Sequence, residues 1–240
     1  MTATEDILVL SATAFEQLAL REAVTERVQR NVAGREWVSG KIGTQPMTLV
    51  ATGIGAVNTA HALTCYLQAQ RPRRVVQIGV GGAYPASGAS VGDLALASEE
   101  NYGDLGVRTP DGWQGGELIG IPVLEKGRSY YNCFPIDEQW VQRAAAALPE
   151  AHIGPFVTVQ ECSGTDELGV ERGRCFGALC ENMEGAAAAH LCALYEVPFA
   201  ELRAMSNIVE QRAREQWDLP GAAARAQAAA QKLLEEGLCA

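Results

Sequence analysis

The chain has 240 residues, 48% of them hydrophobic, enough for a sizeable core in a single domain spanning 1–240. Its 29 acidic and 19 basic residues leave a net charge of −10, which argues against nucleic acid or an anionic membrane as partner, since both reward clusters of Lys and Arg. No apolar run approaches the roughly 20 residues of a membrane-spanning helix, and the start MTATEDILVL has no basic stretch before its apolar run, so no secretory leader is expected.

Residues 6–12, DILVLSA, form a short continuous apolar run, the mark of a strand buried on both faces. From 15 to 32, Leu18, Ala19, Val24 and Val28 fall on a helical period, which predicts a helix. Residues 37–53 give two strands about a GTQP turn. A helix is expected over 56–70, a second buried strand over 73–83 that ends in glycines, and a third strand over 91–97. Residues 101–135 are rich in Gly, Pro, Tyr and Trp and read as long functional loops. Helix is expected over 137–148, strand over 155–160 and 178–182, and helix over 184–195. A strand over 198–207 and an amphipathic helix over 222–236 close the series, with no repeat or low-complexity segment. The seven Cys form no C-x-x-C pair and several lie within apolar runs, so they read as reduced thiols of a cytoplasmic protein.

Strands alternating with helices predict a mainly parallel sheet covered on both faces, with ligands beyond the carboxyl ends of the strands. The residues just after each strand therefore carry the functional question. TGIGAVNTA (52–60) is a Gly-rich turn whose glycines allow close backbone approach and whose helix start offers free amides to an oxygen anion or a polarised water. It matches neither a Walker pattern nor G-x-G-x-x-G, and tight turn geometry alone would also explain it. Close backbone packing would equally explain IGVGGA (78–83). Glu184 is either a surface acid favoured by the helix dipole, worth about 0.3–1 kcal/mol, or a buried carboxylate in need of donors such as vicinal ribose hydroxyls. Glu16 follows the first strand, where an acid at a helix start is commonly structural. Arg203 interrupts a buried strand and needs a carboxylate partner, while Ser206 and Asn207 end that strand as a turn would also require. His190 reads as a satisfied core or face residue. No His/Cys/Asp cluster has metal-ligand spacing and no elbow motif supports a Ser-His-Asp triad, so neither metal nor cofactor is expected.

These stretches together resemble the nucleoside phosphorylase/nucleosidase superfamily, specifically its bacterial nucleosidase branch, over nearly the whole chain. The resemblance rests on Glu16 after the first strand, TGIGAVNTA, IGVGGAYPASGASVGDLALASE (78–99), ENMEGAAAAHLCALYEVPF (181–199) and LRAMSN (202–207), with Glu184 standing 23 positions before Asn207. It implies an α/β fold, a three-layer α/β/α sandwich with a central mixed, partly barrel-like sheet, and a homo-oligomer, dimer or larger. It also implies roles. Glu184 would bind the ribose hydroxyls with Met183 packed on the sugar, and Glu16 would polarise the attacking water. Arg203 would position the acids, and Ser206 and Asn207 would face the purine. Gly53 and Gly81 would lie beside the substrate, and Cys162 and Ser163 on the loop near the base. The partners would be a small-molecule nucleoside and water.

Two departures refine this. Nucleosidases that act on methylthioadenosine carry Asp where this chain has Asn207, and an amide can donate to O6 while its carbonyl accepts from a protonated N7. A mismatched buried pair costs about 1–3 kcal/mol, so Asn207 points to hypoxanthine or guanine. Phosphorylases of the superfamily hold phosphate with Arg and Ser near the Gly-rich turn, whereas TGIGAVNTA has no Arg and Glu16 would repel phosphate, which favours hydrolysis. A 6-oxopurine nucleoside phosphorylase, a methylthioadenosine-type nucleosidase and a non-catalytic nucleoside-binding protein are the alternatives. For an acidic group on the 5′ side of the nucleoside, Arg128, Tyr130, Tyr131 or the segment 211–217 are candidates.

Overall fold

Ile7, Leu8, Val9 and Leu10 are fully buried and form β1 (Ile7–Ser11) in the computed structural model, which describes residues 6–210 and 214–239. A tight turn over Ala14–Gln17 leads into α1 (Leu18–Ala23), then β2 (Thr25–Val32), β3 (Arg35–Ile42) and β4 (Gln45–Ala51). Next come α2 (Ala56–Ala69), β5 (Arg74–Ala83) and β6 (Leu94–Tyr102). Two small hairpins follow, β7 (Gly106–Thr109) with β8 (Gly112–Gly115) and β9 (Leu124–Lys126) with β10 (Arg128–Tyr130), and then β11 (Cys133–Pro135). The remainder alternates through α3 (Glu138–Ala147), β12 (His152–Thr158), α4 (Asp166–Phe176), β13 (Cys180–Asn182), α5 (Gly185–Tyr195), β14 (Phe199–Ile208) and α6 (Leu219–Glu235).

The main sheet has an open wing and a closed ring. The wing runs β2-β3-β4-β1-β5. The ring is β5-β14-β6-β12-β13, closed because β14 pairs with both β5 and β6 while β13 pairs with both β12 and β5. This is the expected mixed, partly barrel-like sheet. It is not mainly parallel: β3 opposes both its neighbours, β13 opposes β5 and β14 opposes β6. A linear alternation of strands and helices carries no sign of which strands reverse. α6 packs on β5 and β14 with α1 beside it, and α2 packs on α5, giving the three-layer α/β/α sandwich. The apolar faces of both layers merge into one large core.

Three expectations change. The helix over 15–32 survives only as α1; its second half is β2, an exposed edge strand antiparallel to β3. Val28 is exposed there, so the helical spacing of the valines was coincidence, and tertiary pairing with β3 decides the conformation. The loops over 101–135 contain two hairpins and an edge strand, and β6 runs on to Tyr102. α4 was not expected, although Thr165 caps its start by accepting from Leu168 N and Gly177 ends it in the left-handed region. Its charged sequence hid the apolar period that reveals other helices.

Candidate active site

A cavity of about 390 Å³ opens where the carboxyl ends of β1, β5, β13 and β14 meet. Glu16, Gly81, Gly82, Ser163, Glu181, Met183, Glu184, Arg203, Ser206 and Asn207 all line it, with Cys162 beside them. Phe15, Ile54, Trp217 and Leu219 make its apolar wall.

Glu16 sits in the turn after β1 and is almost wholly buried. Its Oε2 accepts from Thr13 N at 2.9 Å and Thr13 Oγ1 at 2.8 Å, and its Oε1 from Val80 N at 3.0 Å. This acid therefore knits a turn and still faces the cavity. Gly79 on β5 makes room for it, since a Cβ there would lie 2.6 Å from Glu16 Oε1.

Glu184 is buried immediately before α5, so the surface-acid reading does not hold. Capping of α5 falls to others. Asn182 Oδ1 accepts from the backbone N–H of Glu184 and Gly185, and Thr158 Oγ1 accepts from Ala186 N. The Glu184 carboxylate is thus free to accept from Gly55 N at 3.0 Å and from Arg203 Nη2 at 3.2 Å.

Arg203, also buried, donates from Nε to Glu201 at 2.7 Å, from Nη1 to Val80 O at 2.8 Å, and from Nη2 to Glu184 and Asn182. Burial opposes its charge, but Glu201 and Glu184 more than offset this and raise its pKa. Glu100 lies behind them, fully buried, accepting from Thr158 Oγ1 and Asn182 Nδ2. Burial and the neighbouring Glu201 hold its carboxyl well above the ordinary carboxylate range, which favours its neutral form.

Asn207 owes its aim to a bulge. The register of β14 on β5 slips between Met205 and Asn207, leaving Ser206 as the extra residue and pairing Asn207 with Gly82. Asn207 Nδ2 donates to Ile208 O, and Ser206 Oγ lies 2.9 Å from Asn207 Oδ1, donating to it. Because a carbonyl can only accept, the Ile208 contact fixes which end of the amide is NH₂.

The neighbouring strand end brings a residue that the sequence reading left without a role. Glu181 Oε1 accepts from Ser163 N at 2.8 Å, and its Oε2 from Ser163 Oγ at 2.6 Å and Tyr84 OH at 3.0 Å, with Arg172 Nη1 3.7 Å away. Burial, then the Glu181 charge, raise the Tyr84 pKa, so its phenol stays a donor. Asn182 was likewise unassigned. The polarity of EN ahead of a buried helix was the available signal.

Other expectations fare differently. Gly53 is not part of the cavity lining; a Cβ there would meet Arg35 and Asn58, and Gly55 is the glycine of the turn that reaches Glu184. Arg35 on β3 donates to Asn58 Oδ1 behind that turn and does not line the cavity. Arg128, stacked over the Tyr130 ring at 4.3 Å, and Tyr131 also lie away from it. Of the segment 211–217, Trp217 lines the cavity while residues 211–213 lie outside the described residues. His190 is satisfied as expected, stacked on Phe134 with Nδ1 3.1 Å from Tyr102 OH. Among the described residues no group of three His, Cys, Asp or Glu side chains could hold a metal ion.

A barrel-like mixed sheet with a carboxylate, arginine and amide cavity at its strand ends defines a class. The family model for the phosphorylase superfamily matches residues 6–238, and the chain belongs to that superfamily. Within it, a futalosine hydrolase of Thermus thermophilus is 38% identical over 188 residues, covering 78% of this chain and 80% of that protein. A 5′-methylthioadenosine/S-adenosylhomocysteine nucleosidase of Bacillus thuringiensis is 29% identical over 218 residues, covering 88% and 90%. Two solved structures share the fold. An S-adenosylhomocysteine nucleosidase from Streptococcus pyogenes has a TM-score of 0.85 at 22% identity, covering 97% of both chains. A futalosine hydrolase mutant of Helicobacter pylori has a TM-score of 0.84 at 19% identity, covering 97% of this chain and 100% of that one.

Proposed function

We propose that this protein hydrolyses the N-glycosidic bond of a 6-oxopurine nucleoside, and that its substrate is futalosine, split into hypoxanthine and dehypoxanthine futalosine in menaquinone biosynthesis. The observation that carries the reading is the set of hydrogen-bonding positions left open in the cavity. A carboxylate has about four acceptor positions. Glu184 uses two, on Gly55 and Arg203, which leaves two for the paired hydroxyls of a ribose. Glu16 uses three and keeps one on Oε1 for a single water. Asn207 keeps one N–H and one oxygen lone pair, the complement of a purine O6 beside a protonated N7.

The glycosidic bond stretches as positive charge grows on the sugar and negative charge on the departing base. Asn207 stabilises that base edge, an effect worth about 2.7–4 kcal/mol by comparison with single oxyanion donors. Glu16 takes the proton of the attacking water, worth about 10²–10⁴-fold. Glu184 holds the sugar for in-line attack with Met183 against it. An amide is no acid, so the proton for N7 arrives through water. Among the described residues Arg203 is the only cation lining the cavity, and four of its five N–H donors are engaged within the protein, while Glu16, Glu181, Glu184 and Glu210 make the site hostile to phosphate. That supports hydrolysis over phosphorolysis. The 38% identity with a futalosine hydrolase supports the choice of substrate.

The working unit in this reading is one domain per chain, assembled as a homo-oligomer in the cytoplasm. An odd count of seven cysteines without a C-x-x-C pair supports the compartment. Incubation with futalosine, inosine and 5′-methylthioadenosine, each with and without phosphate, tests the activity. Hypoxanthine released from futalosine without phosphate is the expected result; adenine release alone, or release that requires phosphate, overturns it.

A further inference from the structure

Glu181 and Asn207 stand on opposite sides of one glycine. Glu181 on β13 pairs with Gly82 of β5, and Asn207 on β14 pairs with the same Gly82. Residues paired across neighbouring strands project to the same face, and all three line the cavity. A Cβ at position 82 would lie 2.7 Å from Val209 Cγ2 and 3.1 Å from Asn207 Nδ2, so only glycine fits in this row. Between the carboxylate and the amide the row contributes backbone and no side chain to the cavity lining.

Glu181 is buried and incompletely bonded. Three of its four acceptor positions are taken by Ser163 N, Ser163 Oγ and Tyr84 OH, and the fourth is on Oε1. A brace for the Ser163 loop would not need to line the cavity, and a buried acceptor without a donor is costly. A 6-oxopurine carries an N–H donor at N1, directly beside O6. A 6-aminopurine carries a lone pair there.

We propose that Glu181 is a second specificity residue for the base, accepting from N1–H while Asn207 binds the O6 and N7 edge. The inference rests on the 6-oxopurine reading and deepens it: two side chains on two strands test the same tautomer, and a 6-aminopurine meets a carboxylate with its own lone pair. Glu181 touches the base and takes no part in bond cleavage.

The test compares kcat/KM for futalosine and its 6-amino counterpart, identical in sugar and 5′ group, in wild type and in E181Q, whose amide can present N–H to N1. The wild type favours the 6-oxo substrate, and E181Q lowers that preference on the order of 10- to 100-fold. Y84F, which removes a donor to Glu181 but leaves the carboxylate, lowers kcat/KM for both substrates alike. A wild type that prefers the 6-amino substrate removes the parent reading. A wild type that prefers the 6-oxo substrate with an E181Q that keeps the full preference overturns this inference alone. Should E181Q not fold, wild-type protein with ¹⁵N1-labelled hypoxanthine decides: an N1 imino proton that is protected and shifted downfield on binding supports the contact, and one that exchanges as in free base overturns it.

Discussion

Arg203 is a single guanidinium facing three carboxyls, those of Glu184, Glu201 and, one step behind, Glu100. Glu184 and Glu201 engage it directly, and burial beside Glu201 pushes the Glu100 carboxyl toward its neutral form. Because the pKa of that group in the folded chain lies above its ordinary 4.5, its contribution to stability is full below about pH 4.5 and is lost as pH rises through the folded value, at up to about 1.4 kcal/mol per pH unit. E100Q carries no titrating proton there. Denaturant unfolding at pH 5 and pH 7 should show E100Q gaining on wild type as pH rises; a constant difference would count against a protonated Glu100. Asn207 is open to a similar substitution. In Asn207→Asp the donor to O6 is gone and an acceptor to a 6-amino group takes its place. The ratio of kcat/KM for the 6-amino over the 6-oxo nucleoside should rise by on the order of tenfold or more; an unchanged ratio would show that the base is read elsewhere.

At the scale of elements, α5 is seated against the carboxyl pair. A Cβ on Gly185 would come within 2.0 Å of Glu100 Oε1 and 2.3 Å of Glu201 Oε2. In an ordinary helix Gly→Ala stabilises by roughly 1 kcal/mol; here the helix must lift, and Gly185→Ala is expected to destabilise by about 1–3 kcal/mol and to displace Glu184. A G185A variant with a higher melting temperature than wild type contradicts that packing. The elements also show what a sequence can and cannot disclose. β1 and β5 were legible because both their faces are buried, so their apolar runs are unbroken. β2 was not, because an exposed edge strand takes its conformation from its neighbour. The bulge at Ser206 leaves no trace in LRAMSN, yet it aims Asn207. Glu16, Glu184 and Arg203 were legible as acids and a base in apolar surroundings. Glu181 and Gly82 were not, since only the register brings Glu181, Gly82 and Asn207 into one row.

For the molecule as a whole, β5 is shared by the wing and the ring, and pairing with both β1 and β14 it brings residues as far apart in sequence as Glu16 and Asn207 into one cavity. Phe15 and Ile54 leave that cavity for solvent, and Val57 beside them is 81% exposed. In the proposed homo-oligomer these apolar side chains would be covered, and the expected mass by light scattering is a multiple of the 25.5 kDa chain; a monomer at micromolar concentration would contradict the proposed oligomer. Charge is arranged on the same scale, with acids around the cavity and its one lining arginine among the described residues tied to Glu184 and Glu201. The most direct measurement is the initial rate of hypoxanthine release from futalosine in phosphate-free buffer, for wild type and Glu16→Gln. Release by the wild type that phosphate does not accelerate, reduced about 10²–10⁴-fold in kcat by the substitution with little change in KM, is the predicted result. Release that depends on phosphate, or a variant as fast as wild type, would contradict a carboxylate that activates water beside an amide that holds the base.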